Sequence, residues 1–110
     1  MATVFKNVLK TGVGTSTTPV LTTGSNVNTT VIGLSLSNTT ESIVLASILL
    51  TDTVAGTAAY YIKNVIVPPD QSLRVINGGE RLVLGPSTQI VITATVDTSL
   101  DLVMSYVEIS

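Results

Sequence analysis

Cysteine and histidine are both missing from this chain of 110 residues. Without cysteine there is no disulfide, no thiolate metal site and no cysteine nucleophile. Without histidine the usual general base and the commonest metal ligand are gone as well. Charge is scarce too. Asp, Glu, Lys and Arg together make up 11 % of the residues, against about 25 % in ordinary soluble domains.

Several classes of partner fall away with the charge. Lys6, Lys10, Lys63, Arg74 and Arg81 are scattered along the chain, so no basic patch for nucleic acid is expected. The longest largely apolar run, Ile43 to Leu50, is far short of the ~18 residues of a membrane helix, and no membrane partner is expected. The opening MATVFKNVLK has no apolar core followed by a small-residue cleavage site, so synthesis in the cytoplasm is the expectation.

Thr, Ser and Asn stand where the charge would be, and the apolar fraction is an ordinary 45 %. Thr favours strands because its branched Cβ packs well on a pleated surface. A net charge of −2 gives copies little mutual repulsion. The composition points to a domain that meets other subunits. The length suits one domain, expected over residues 1–110, with a looser strand and loop region at 1–29 and the main strands at 30–110.

Along the chain, Thr3 to Lys10 alternates weakly, with Phe5, Asn7 and Leu9 expected inward and Val4, Lys6, Val8 and Lys10 outward. Gly12-Val13-Gly14 and the Thr/Ser run to Pro19 suggest a loop or irregular edge, because proline fits only an edge or a strand start. Val20 to Thr23 is a short strand candidate. Thr30 to Asn38 alternates cleanly, with Ile32, Leu34 and Leu36 expected on one face and Gly33, Ser35 and Ser37 on the other. After a turn at Asn38–Glu41, Ser42 to Asp52 is apolar on both faces, Val44, Ala46, Ile48 and Leu50 opposing Ile43, Leu45 and Leu49.

Gly56 to Val67 is also apolar on both faces until Pro68-Pro69-Asp70 stops it. Leu73 and Val75, then Leu82 and Leu84, suggest two strands joined by a hairpin turn at Asn77-Gly78-Gly79. Ile90, Ile92, Ala94 and Val96 share a face. A last strand runs from Asp101 to Ile109, with Leu102, Met104 and Tyr106 toward the core and Val103, Val107 and Ile109 outward. Seven to nine short strands with tight turns predict an all-β, antiparallel β-sandwich of jelly-roll or immunoglobulin-like type. The candidate interface residues are Val103, Val107 and Ile109, with Tyr61 and Val65 from the long strand.

Reactive chemistry has few candidates. Asp97, Ser99, Asp101 and Glu108 fall at the first, third, fifth and twelfth positions of a calcium loop, but Leu102 stands where its glycine belongs. The carboxylates Asp52, Asp70, Glu80, Asp97 and Asp101 all lie in expected turns, where carboxylates are normally solvated. Gly12-Val13-Gly14 lacks the third glycine and the helix of a dinucleotide site. Asn28-Thr29-Thr30 and Asn38-Thr39-Thr40 match the glycosylation pattern, as a Thr-rich chain does by chance. Tyr60 and Tyr61 are adjacent and point to opposite faces, so they cannot form one sugar-stacking platform. No enzyme activity, cofactor or metal is expected.

The C-terminal half resembles small β-sandwich virion proteins of tailed bacteriophages. The resemblance rests on Val67-Pro68-Pro69, Leu73 to Ile76, Gly78-Gly79, Leu82 to Pro86, Ile90 to Val96 and the closing Ser105-Tyr106-Val107-Glu108-Ile109. It spans about half the chain, and Gly85-Pro86-Ser87 replaces the more acidic turn of such proteins. It implies a non-enzymatic virion component, a decoration or cement protein of the head, with a neck or tail component as the alternative. It also implies self-association as a trimer or ring and contact with other virion proteins such as the major capsid protein. The alternative from another class is a carbohydrate- or receptor-binding module of a fibre.

Overall fold

The computed structural model describes residues 3–76 and 81–109. These residues form nine β-strands and no helix: β1 (Thr3–Val13), β2 (Thr18–Thr22), β3 (Asn28–Asn38), β4 (Val44–Asp52), β5 (Ala58–Val67), β6 (Ser72–Ile76), β7 (Leu82–Leu84), β8 (Thr88–Ala94) and β9 (Leu100–Ile109). One sheet has the order β1-β9-β3-β6, with β7 also on β3; the other runs β2-β8-β4-β5. Every pairing is antiparallel.

The pairings nest like one long hairpin. β4 meets β5 at its tip, then β3 meets β6 and β7, β2 meets β8, and β1 meets β9. Contacts of β9 with β3 and of β8 with β4 roll that hairpin into two sheets. This winding is the jelly roll, one of the two sandwich types that the alternation of the sequence predicts.

The core lies between the sheets. Val31, Leu34 and Leu36 of β3 and Leu100, Leu102, Met104 and Tyr106 of β9 face Val44, Ala46 and Ile48 of β4 and Ile90, Ile92 and Ala94 of β8. On β4, β8 and β9 these are alternate residues, as the two-residue period of a pleated sheet requires. The expected inner face of β9 is observed, and of the two apolar faces of β4 the one with Val44, Ala46 and Ile48 is the inner one.

Three expectations are corrected. Phe5 and Leu9 point outward, 75 % and 66 % exposed, while Val8 packs against the core. The register of β1 on β9 shifts between Lys10 and Val13, so the inward phase passes from even residues to Val13. Ile32 is outward as well. A bulge between Val31 and Gly33 resets the alternation, so Val31 and Leu34 both face the core. A bulge adds one residue to one strand and reverses its faces beyond that point. Finally, β6 and β7 are not the two arms of a hairpin; both run antiparallel to β3, one at Leu34–Ser37 and the other at Thr29–Val31. The eleven residues of β3 accommodate both in line. The expected turn residues Asn77-Gly78-Gly79 lie outside the described residues.

Two polar devices hold the corners. Asn38 is 3 % exposed, and its amide is fully used. Its Nδ2 donates to the carbonyls of Ser42 at 2.8 Å and Val67 at 3.0 Å, and its Oδ1 accepts from the Thr40 amide at 2.9 Å and hydroxyl at 2.7 Å. The side chain in the second glycosylation pattern is therefore a buried plug between β3, β4 and β5. At the other corner the chain leaves β1 and crosses to the second sheet over the Asp97–Ser99 turn. Gly12 has φ +63°, and a Cβ on Gly14 would sit 2.9 Å from Asp97 Oδ1 and 3.0 Å from the Asp97 Cα. The glycines of Gly12-Val13-Gly14 serve this close crossing.

Candidate functional site

The outer face of the five-stranded sheet carries an apolar field. The β1–β9 register sets Phe5 opposite Val107 and Leu9 opposite Val103. The β9–β3 and β3–β7 registers continue the first row through Thr30 to Val83. Phe5, Leu9, Val83 and Val103 are all exposed, and Ile32 and Ile109 stand at 36 %. The candidate interface residues Val103, Val107 and Ile109 therefore belong to one face, at the centre of the sheet. β9 places them there because β1 and β3 flank it on both sides.

Small residues make this face concave. Gly33 lies opposite Ser105, and Asn7 lies beyond it on β1. A Cβ on Gly33 would meet nothing within 4 Å. Two adjoining open hollows of about 390 and 410 Å³ share Ile32 and Ser105; Phe5 and Lys6 border the first and Arg74 and Val103 the second. Among the described residues no carboxylate lines either hollow.

The second sheet has its own outer row. Leu45 pairs with Ile66 and Leu49 with Tyr60, and Val91 lies between Leu49 of β4 and Pro19 of β2. Val91 is 6 % exposed although it is outside the core, because both flanking strands cover it. Ile43, Tyr60 and Ile66 are more than half exposed, at 62 %, 54 % and 58 %. The Lys63 ammonium lies 5.0 Å from the centroid of the Tyr60 ring. Tyr61 packs against the core and Val65 is half-buried opposite Ala46. Of the adjacent tyrosines, Tyr60 is the one on the outer face. The register of β5 on β4 shifts twice, between Ala46 and Ile48 and again between Ile48 and Leu49, so the phase of the alternation is restored by Tyr60. The first shift contains Asn64, which has φ 52° and whose amide donates to Ser47 Oγ at 2.9 Å.

The carboxylates of the calcium-like spacing have separate occupations. Asp97 Oδ1 accepts from the Thr15 hydroxyl at 2.6 Å and amide at 3.1 Å. Those two bonds, the hydroxyl's first, hold the Asp97 carboxyl below its ordinary value of 3.8. Asp101 Oδ1 accepts from the Gly12 amide at 3.2 Å, and Glu108 pairs with Lys6 at 2.7 Å. The Lys6 ammonium is raised above 10.5, first by that hydrogen bond and then by the Glu108 charge. Asp97 and Asp101 pin the β1–β2 crossing to the last two strands.

The outer row of β9 is legible in the alternation of the sequence; its extension onto β1 is not. One signal for it was present. Gly12, next to the apolar Val13, marks the bulge at which the alternation changes phase. No protein-family model and no curated protein sequence matches the chain.

Proposed function

We propose that this chain is a non-enzymatic structural component of a tailed-bacteriophage virion, an accessory head protein that reinforces the capsid by protein–protein contact. The observation that carries this reading is the apolar outer face of the five-stranded sheet, with Phe5, Leu9, Val103 and Ile109 exposed on a domain of very low charge. An exposed apolar field of this kind marks a contact surface, and a subunit held by many neighbours tolerates it. The closing Ser105–Ile109 segment of the virion-protein resemblance forms the outer half of β9 and contributes Val107 and Ile109 to that field. The partners are copies of itself and other virion proteins such as the major capsid protein.

The jelly roll serves both capsid and carbohydrate-binding domains, so the winding alone does not choose between them. Against a fibre-tip binding module, Phe5 and Tyr60 are exposed on opposite sheets, and among the described residues no carboxylate lines the hollows. A neck or tail position is the alternative within the virion. Quantitative mass spectrometry of particles purified from the encoding virus tests the reading. A copy number comparable with that of the shell protein is the expected result, a dozen or so copies would move the chain to the neck or tail, and absence from the particle would overturn the proposal.

A further inference from the structure

We infer that β1 pairs antiparallel with β1 of a second copy, across a two-fold axis at Asn7, so that two five-stranded sheets join into one. β1 is an edge strand of eleven residues, and among the described residues β9 is its one strand partner. A long edge with exposed apolar side chains is a template for a further strand. The inference stands on strand geometry and does not rest on the virion reading. It points to a pair as the unit of self-association rather than the trimer or ring that the resemblance implies.

The register follows from faces and charges. Paired strands must match their faces, so odd residues of one β1 lie opposite odd residues of the other. Two-fold axes at Lys6, Val8 or Lys10 set lysine against lysine, which is unfavourable for directly opposed pairs. An axis at Leu9 carries the pairing into Gly12, where φ +63° breaks the strand. An axis at Phe5 uses only the first half of β1. The axis at Asn7 pairs Thr3 to Thr11, nearly all of it the part of β1 that is in regular register with β9 (Thr3 to Lys10), with Lys6 opposite Val8 and Lys10 opposite Val4.

That same register sets Phe5 of each copy opposite Leu9 of the other. Phe5 already lies opposite Val107, and Leu9 opposite Val103. The pair therefore gains two unbroken apolar rows, Val107–Phe5–Leu9–Val103, related by the axis. Lysines on an edge strand often guard it against pairing. Here the Lys6 charge is already held by Glu108 at 2.7 Å within its own chain.

The absence of cysteine makes the test direct. Residues opposite each other in an antiparallel pair have Cα atoms about 4.5–5.5 Å apart, within disulfide range. Under mild oxidation the full chain carrying Asn7→Cys is expected to form a covalent dimer, whereas Thr3→Cys and Leu9→Cys are each expected to stay uncrosslinked. The double variant Thr3→Cys/Thr11→Cys is expected to cross-link again. In sedimentation, the Phe5→Lys/Leu9→Lys variant should dimerise at least about tenfold more weakly than the unaltered chain, with an unchanged circular dichroism spectrum. A monomeric unaltered chain at about 100 µM, or equal cross-linking at residues 3, 7 and 9, would overturn the inference. A monomer would leave the virion reading to be judged by particle composition.

Discussion

Thr29 is wholly buried on β3, and among the described residues its hydroxyl is the one buried side-chain polar atom without a hydrogen-bond partner. Leaving a hydroxyl unpaired in the core costs about 1–3 kcal/mol. Valine has the same shape with a methyl in its place. Thr29→Val is expected to stabilise the protein by about 1 kcal/mol, read as a higher urea midpoint at unchanged slope. Asn38 is the opposite case. It is as buried as a core residue and has partners on both ends of its amide. Its short polar side chain in an Asn-Thr-Thr run gives the appearance of a turn residue in the sequence. Its burial depends on the carbonyl of Val67, distant in the chain, which no local pattern reveals.

At the scale of strands, alternation was readable wherever a strand stays regular and has one dry face. Leu102, Met104 and Tyr106 on β9 are such a case, whereas β4 is apolar on both faces and the sequence does not choose between them. Alternation failed where a bulge intervenes. Ile32 has the same spacing as Leu34 and Leu36, and only the pairing with β9 reveals the reset. On β1 both phases contain apolar residues, so sequence alone could not choose between Phe5 and Val8. The β6–β7 hairpin was misread because a Gly-containing break between two strands has the same local composition whether the chain reverses or continues. The apolar outer face was half visible for the same reason: its β9 residues follow the clean alternation and its β1 residues do not.

The corner that joins β1 to β2 also predicts a pH response. Asp97 has a lowered pKa because Thr15 donates two hydrogen bonds to its carboxylate. A folded-state pKa below the unfolded one contributes stability above the unfolded value and loses it as pH falls through the folded value. Asp97→Asn is therefore expected to flatten the loss of stability in the acid range below 3.8. Urea unfolding of both proteins at stepped pH measures this. Equal slopes for the two would show that the Thr15 bonds do not favour the ionised form.

For the whole molecule, the nested pairing makes folding a matter of distant contacts. β1 finds its partner at the far end of the chain, and β2 pairs with β8. Loop closure must precede such contacts, and sandwiches of this type fold in about milliseconds to seconds. Stopped-flow refolding is expected to show a slow single phase in that range, with one cooperative unfolding transition at equilibrium. A refolding time in microseconds would contradict the order of strands described above.

The position of β9 has one more consequence. The last strand of the jelly roll lies between β1 and β3, so the sheet has a slot at its centre until that strand arrives. Any copy of β9 fits the slot equally well, its own or a neighbour's. Two molecules that exchange their final strands keep the whole sandwich and give up only the turn at Asp97–Ser99. That turn holds Thr98 at φ 51°, a strained conformation for a β-branched residue, and exchange would relax it. The joint that closes each molecule on itself is also where two of them can become entangled.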